Sequence, residues 1–177
     1  MTVLPLVIAP DPILKKKSKA VDVVDDVVRA FMDDMLETMY DSEGIGLAAN
    51  QVGDLRRILV MDVAQREDDS AAKEPIAMAN PAITWSSEEL NVYQEGCLSI
   101  PDQYADVERP AEVKVTYLDR DGKEQHVHAT GILATCVQHE IDHLNGVLFT
   151  DHISALKRSI IMKKSSKIKK ARAADDS

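Results

Sequence analysis

The chain has few features of a secreted or membrane-bound protein. It contains two cysteines among 177 residues, too few for the disulfide framework that staples small secreted domains. No apolar run approaches the length that spans a bilayer, and the apolar N-terminal stretch lacks a positive leading region and is broken by Pro5, Pro10 and Pro12. We therefore expect a cytoplasmic protein with no membrane partner, in which Cys97 and Cys136 are free thiols.

The net charge and the composition further restrict the class of protein. A net charge of −9 argues against nonspecific nucleic-acid binding by the whole surface. Apolar residues make up 45% and charged residues 29%, which is ordinary for a soluble globular protein, and the length is sufficient for one core. We expect a single domain over 1–162, followed by a basic C-terminal tail over 163–177 that is free to be mobile.

One mostly apolar segment, TGILATCVQHEIDHLNGVLF at 130–149, carries two histidines at helical spacing. Residues four apart share a helix face, so His139 and His143 could hold one metal ion between them. Glu140 points off that line but stays near it, as in H-E-x-x-H sites where a glutamate acts on water. The same pattern also fits an amphipathic core helix whose histidines are satisfied by hydrogen bonds. A metal site would need at least one further ligand from elsewhere.

The remaining segments predict a mixed fold. Apolar spacing over 24–40 indicates an amphipathic helix, RRILVMDVA at 56–64 indicates a strand, and the alternation over 112–130 indicates a hairpin turning at an Asp-Gly pair. Shorter strands are expected around 76–78 and 91–94. This order predicts an α+β fold, with antiparallel strands packed around a central metal-binding helix and with an N-terminal and a C-terminal helix.

Three segments closely resemble the signature motifs of the bacterial peptide deformylases: GIGLAANQVG at 44–53, EGCLSIP at 95–101 and QHEIDHLNG at 138–146. The resemblance implies one divalent metal per chain, with a fourth coordination position left for water. Family members typically use Fe(2+), and Ni(2+), Co(2+) or Zn(2+) can substitute, since several first-row metals accept a thiolate and two imidazoles. The implied ligands are Cys97, His139 and His143.

The resemblance also implies an activity, removal of the N-formyl group from the initiator formyl-methionine of nascent polypeptides with release of formate. The metal would acidify water and polarise the formyl oxygen. Glu140 would accept the proton of the water and pass it to the leaving amine. The side-chain amide of Gln51 and the backbone N–H of Leu98 would stabilise the developing oxyanion.

The first motif and the helix that carries the two histidines are expected to contact the substrate. Gly44 and Gly46 allow close backbone approach, so this segment could pair with the nascent peptide as an added strand. The same glycines also fit a plain helix stop followed by a turn. The pocket for the methionine side chain is expected from Ile45, Leu133 and Cys136.

Two positions in the segment YADVERP at 104–110 are less defined by the resemblance. Arg109 matches a basic family position near the site and is a candidate substrate-binding residue, but it could equally pair with Glu95. Tyr104 stands where some relatives carry arginine, so peptide contacts at that position do not carry over.

Two other functions stay open on sequence grounds. A zinc endopeptidase shares H-E-x-x-H but usually takes its third ligand downstream of the helix, where His152 is the only histidine. A structural or RNA-associated metal module would need a closed site with four ligands, whereas three convincing ones are present, and Glu140 would have no role.

The C-terminal segment has its own pattern. Residues 152–162 predict a helix whose apolar positions Ile153, Leu156, Ile160 and Ile161 dock on the body. From 157 to 172 there are eight basic residues and no acidic residue. They fit a solvated helix end, where cations are favoured by the helix dipole, or a contact with ribosomal RNA that carries no sequence specificity.

Overall fold

The computed structural model describes residues 1–176, which contain four α-helices and seven strands. The helices are α1 (Asp26–Asp41), α2 (Ala64–Glu67), α3 (Gly131–Leu144) and α4 (Ala155–Asp175). The strands are β1 (Gly46–Ala48), β2 (Ile58–Met61), β3 (Ile76–Ser86), β4 (Leu90–Cys97), β5 (Ile100–Pro110), β6 (Val113–Leu118) and β7 (Glu124–Ala129). Short 3₁₀ helices lie at Pro12–Lys15, Ala49–Val52 and Phe149–His152. Ser177, the last residue of the expected tail, lies outside the described residues.

The strands form two antiparallel sheets. One has five strands in the order β1-β2-β3-β6-β7, and the other is the hairpin β4–β5. The hairpin predicted over 112–130 is confirmed as β6–β7, and the α+β class is confirmed by helices that pack on antiparallel sheets. The three-residue strand β1 forms one edge of the larger sheet, so one side of its backbone has no strand neighbour within residues 1–176.

Strand β2 shows why the larger sheet lies between two helices. Its side chains alternate between faces, so Ile58 and Val60 join the core beneath α1 while Leu59 and Met61 join the core beneath α3. All four side chains are fully buried. The uninterrupted apolar run ILVM is therefore typical of a strand covered on both faces.

The docking predicted for the C-terminal helix is confirmed for Ile153 and Ile161, which join the apolar cluster that contains Ala9 and Phe149. Ile161 and Ser165 are buried, and the Ser165 hydroxyl donates a hydrogen bond of 2.8 Å to the Ala9 carbonyl. Leu156 and Ile160 are instead 72% and 47% exposed, so their predicted docking is wrong. The reason is rotational: the buried residues 161 and 165 lie about 100–180° around the helix from the exposed residues 156 and 160.

The expected boundary between residues 162 and 163 falls inside α4, which continues as a helix to Asp175. The division of the chain into a catalytic domain and a tail stays a prediction. Within residues 1–176, no helix combines the length and the apolar character needed to cross a bilayer.

Gly146, just after α3, lies against the backbone of Lys15, so a side chain at this position should destabilise the fold. Gly146 has φ +77°, and a Cβ there would lie 2.7 Å from the Lys15 carbonyl carbon. Gly53 has φ +84° but an open surrounding. We expect Gly53→Ala to cost about 1–2 kcal/mol through its backbone conformation alone. Gly146→Ala should cost about 2 kcal/mol more, because the backbone at Lys15 must also move.

The free energies of unfolding of the two variants in urea measure this difference. Equal losses in both variants would show that the contact with Lys15 relaxes freely.

Candidate metal centre

Helix α3 carries both histidines into the interior between the sheets. His139 and His143 lie on consecutive turns and are 8% and 1% exposed. Thr130 occupies the N-cap position and Gly146 follows the final turn, so the predicted helix is confirmed. Apolar side chains of α3 pack against β1 and β2, which holds the polar rings in a site shielded from solvent.

The cysteine arrives on a separate element. Cys97 ends β4 and pairs with Ile100 of β5, so only the two residues of the turn, Leu98 and Ser99, separate the strands. The Ser99 carbonyl accepts a hydrogen bond of 2.8 Å from the Ala9 amide. The turn is therefore tied to the N-terminal segment and presents the thiol to α3 from a fixed position.

Three donor atoms converge at the point where the hairpin meets the helix. Nε2 of His143 lies 3.2 Å from Nε2 of His139 and 3.3 Å from Sγ of Cys97, and all three donor atoms lie within 4.8 Å of one another. Donors around a tetrahedral first-row ion are about 3.3–3.6 Å apart, given bonds of about 2.0–2.3 Å. The three residues therefore fit one metal ion in both spacing and donor type.

Glu95 sets the orientation of His139. Its Oε1 lies 2.9 Å from Nδ1 of His139, so Nδ1 carries the proton and the lone pair of Nε2 faces the other two donors. Arg109 donates to both Glu95 oxygens, at 2.7 and 2.9 Å. Burial alone would raise the pKa of Glu95, but the hydrogen bonds from His139 and Arg109 keep it below its ordinary value. Glu95 is thus a buried carboxylate that supports a ligand.

The two imidazoles have different electrostatic surroundings. Burial and the neighbouring His139 lower the pKa of His143, which favours the neutral ring that binds metals. Burial also acts to lower the pKa of His139, but hydrogen bonds to Cys97 and Glu95 outweigh it and raise the pKa. The Phe149 ring stacks on His139 with centroids 6.1 Å apart, and the Asn50 side chain donates to the His143 carbonyl at 2.6 Å.

Glu140 lies beside the three donors without being one of them. Its Oε1 is 3.8 Å from Nε2 of His139, and its buried Oε2 has no hydrogen-bond partner within residues 1–176. Burial raises the pKa of Glu140 to about 7. A Cβ added to Gly46 would lie 2.8 Å from Oε1 and 3.0 Å from the Cys136 sulfur. A side chain at position 46 would therefore collide with the Glu140 carboxylate, and glycine avoids this collision.

Gln51 adjoins the thiol. Its Oε1 accepts from the Ala48 amide at 2.9 Å, which fixes the amide plane. Its Nε2 lies 3.3 Å from the Cys97 sulfur and 3.2 Å from the Ser99 hydroxyl. The structure therefore brings Gln51 to the site, with its N–H groups directed at the sulfur and at the turn that follows it.

Gly44 lies against the Leu98 side chain, while Ile45, Leu133 and Cys136 share one apolar cluster at α3. Gly44 faces the Leu98 side chain, because a Cβ at Gly44 would lie 2.8 Å from Leu98 Cδ1. The Cys136 sulfur lies 3.6 Å from the Ile45 carbonyl oxygen, which it meets as a thiol because burial raises its pKa. Leu133 also lines a cavity of about 270 Å³ with Val63, Ala64, Glu67, Glu74, Ile76 and Thr130. Neither Ile45 nor Cys136 lines that cavity.

Arg109 takes the structural role that the sequence left open. Its side chain is 6% exposed and bonds Glu95 and, at 2.7 Å through Nη1, Asp142. A direct substrate contact for Arg109 stays a prediction. Tyr104 is 63% exposed, and its ring covers Gly96, where a Cβ would lie 2.6 Å from Tyr104 Cε1.

Some site residues had no clear signal in the sequence. Asp142 and Asn50 lie inside recognised motifs, so their position next to the ligands was the available clue. Ser99 had the same clue, since it lies in the motif at 95–101, but its contact with Gln51 depends on the tertiary structure. Phe149 lies outside the three motifs, and its stacking on His139 had no signal in the sequence.

This α+β chain carries H-E-x-x-H on a buried helix and receives a cysteine from a hairpin, which are the features of a hydrolase with a site for one metal ion. Its sequence matches the family described as polypeptide deformylase over residues 3–159. The match covers most of the chain, so the protein belongs to the polypeptide deformylase family and is an enzyme.

Relatives agree along nearly the whole chain. The peptide deformylase of Methylocella silvestris is 59% identical over 170 residues, which are 96% of this chain and 87% of that protein. The peptide deformylase of Rhizobium meliloti is 56% identical and covers 98% of each chain. A crystal structure of peptide deformylase from Ehrlichia chaffeensis superposes with a TM-score of 0.91 at 40% identity, covering 97% of this chain and 99% of that one.

The endopeptidase alternative loses its main support. His152 does not join the three donors, since its Nε2 lies 2.8 Å from the Asp142 carboxylate. The third donor of the present site is Cys97, which precedes the helix in the chain, whereas an endopeptidase would take its third ligand from a residue after the helix.

The two cysteines allow a direct test of the donor set. We expect Cys97→Ser to lose most bound metal, because a hydroxyl is a poorer ligand than a thiolate, while Cys136→Ser retains it. The serine at 136 keeps a donor toward the Ile45 carbonyl, so it is the matched control. Metal content per chain after anaerobic loading with nickel measures the difference, and equal retention in both variants would contradict the Cys97 assignment.

Proposed function

We propose that the protein is a metal-dependent hydrolase that removes the N-formyl group from the initiator formyl-methionine of nascent polypeptides and releases formate. The observation that carries this proposal is the convergence of Cys97, His139 and His143 beside the buried carboxylate of Glu140. Membership of the deformylase family supports the substrate class. We propose one divalent ion per chain, with Fe(2+) as the native metal and Ni(2+), Co(2+) or Zn(2+) as substitutes.

When bound, the metal supplies positive charge that acidifies water and polarises the formyl oxygen. The remaining work falls to the protein. Glu140, with a pKa of about 7, can take a proton from the attacking water and return it to the leaving amine at neutral pH. Water oxygen adds to the formyl carbon, the carbon–nitrogen bond breaks, and the products are formate and the free amino terminus.

Gln51 and Leu98 are proposed to stabilise the oxyanion. Gln51 lies next to Cys97 in space, and Leu98 follows Cys97 in the sequence. The Gln51 amide already donates toward the Cys97 sulfur and the Ser99 hydroxyl. Donation to the oxyanion therefore requires it to exchange one of these contacts, and the contact with Ser99 is between neutral groups. The backbone N–H of Leu98 lies in the tight turn after the thiol, where it has a fixed direction.

The peptide is proposed to bind along β1. This strand is the edge of the larger sheet and includes Gly46, so an extended substrate can add a further strand there. Gly44 and Ile45 precede it, with Leu98 facing Gly44. Leu133, Cys136 and Ile45 are proposed to contact the methionine side chain.

Glu140→Gln separates catalysis from metal binding. We expect the variant to keep its metal and fold but to lose at least about 10²-fold in turnover, because the amide cannot accept the proton. Formate release from a formyl-Met-Ala-Ser peptide by anaerobically purified protein measures activity, with iron, nickel and zinc forms compared. Turnover near the wild-type rate would contradict the assignment of Glu140 as the general base.

We further propose that the basic face of α4 contacts the ribosome, near the site where the nascent chain emerges. Lys163, Lys164, Lys167 and Lys170 are exposed, whereas Ser165 between them is buried. Phosphates attract such a face without reading sequence. A truncation after residue 162 would also remove the contact between Ser165 and Ala9, so charge neutralisation is the cleaner test.

Changing these four lysines to glutamine should weaken co-sedimentation with ribosomes at low salt and reduce its salt dependence, with formyl-tripeptide activity unchanged. The matched control changes four other exposed lysines, Lys16, Lys17, Lys73 and Lys123, which alters the net charge equally. Equal binding by both variants would mean that α4 ends only as a solvated helix.

A further inference from the structure

A continuous series of polar contacts joins the protein surface to a metal ligand. His152 Nε2 lies 2.8 Å from Asp142 Oδ2, and Arg109 Nη1 lies 2.7 Å from the same oxygen. Arg109 then donates to both oxygens of Glu95, which binds Nδ1 of His139 at 2.9 Å. The side-chain exposure falls along this series from 36% at His152 to 23% at Asp142 and 6% at Arg109.

The outer end of the series is held on a well-anchored turn. His152 is the last residue of the 3₁₀ helix Phe149–His152, whose Phe149 stacks on His139. Asp151 accepts from the Leu148 amide at 3.0 Å and pairs with Lys15. The same short turn therefore contacts His139 directly through Phe149 and indirectly through His152.

We propose that His152 is a positioning residue of the metal centre. Asp142 is partly exposed and can rotate toward water unless a second donor holds it. His152 supplies that donor, so that Asp142 stays on Arg109, Arg109 stays fully bonded, and Glu95 keeps His139 in the orientation that binds metal. This inference rests on the proposed metal site and adds to it a group at the protein surface.

Electrostatics supports this arrangement. Arg109 is buried between two carboxylates, and a buried guanidinium that loses one partner keeps its desolvation cost without full compensation. It would then shift toward new acceptors and carry Glu95 with it. Partners outside the ligands commonly change metal affinity in this way, by about 10–100-fold when they touch the ligand directly.

The test uses three single variants of the full chain. His152→Leu removes the donor, and His152→Gln keeps an N–H near the position of Nε2. His128→Leu is the matched control, because His128 is exposed on the outer side of β7, where it pairs with Glu112 at 3.4 Å and meets the Trp85 ring edge-on at 5.8 Å between centroids, away from the metal centre. Its neighbours Val127 and Ala129 face α3. Cobalt affinity is measured by competition with a chelator, and the thiolate-to-cobalt and d–d absorption bands report the ligand geometry.

We expect His152→Leu to weaken cobalt binding about threefold to tenfold, less than a direct partner would, and to shift the absorption bands. His152→Gln should restore most of both, and His128→Leu should match the wild type. In an Asp142→Asn background, His152→Leu should add little, because the two residues act through one contact.

Three results would overturn the proposal: unchanged affinity and spectrum in His152→Leu, equal loss in the leucine and glutamine variants, or equal loss in His128→Leu. Absence of cobalt binding by the wild-type chain would instead overturn the proposed metal site, so the two failures are distinguishable.

Discussion

The buried ion pair between Arg109 and Glu95 connects the parts of the protein on which the site depends. Glu95 lies on β4 and Arg109 on β5, so the pair crosses the smaller sheet, and both partners reach α3 through His139 and Asp142. Removing one partner of such a pair typically costs about 3–5 kcal/mol, because the other charge is left buried alone. Sheet, helix and ligand orientation are therefore coupled through one guanidinium.

Burial of α3 explains the chemistry of its polar groups. The helix is covered by the larger sheet on one side and reached by the hairpin on another, so ten of its fourteen residues are buried. Low polarity around Glu140 disfavours its charged form and places its pKa near neutrality. The same surroundings keep Cys136 a neutral thiol. These two buried groups lie four residues apart, but only Glu140 lies beside the three converging donors.

Local patterns predicted what depends on local structure. The spacing in 130–149 predicted α3, and alternation around an Asp-Gly pair predicted β6–β7. The sequence pattern does not predict strand β5, because prolines stand near its two ends and charged residues alternate through it. The predicted docking of the C-terminal helix is wrong for Leu156 and Ile160 but right for Ile153 and Ile161, since apolar spacing alone cannot tell which side of the helix meets Ala9. The three motifs identify the candidate metal ligands and Glu140. The partners of Arg109, Glu95 and Asp142, could not be predicted in this way, because they come together only through contacts between distant segments.

The division of the donors between a helix and a hairpin has a thermodynamic consequence. His143 is 46 residues from Cys97 in the chain, so the unfolded protein can offer the two histidines together but meets the thiol only at the cost of closing a long loop. An ion that uses all three donors binds the native state selectively, and the free energy of unfolding then rises with the free metal concentration. Metal supply would in this way set the lifetime of the folded enzyme as well as its activity.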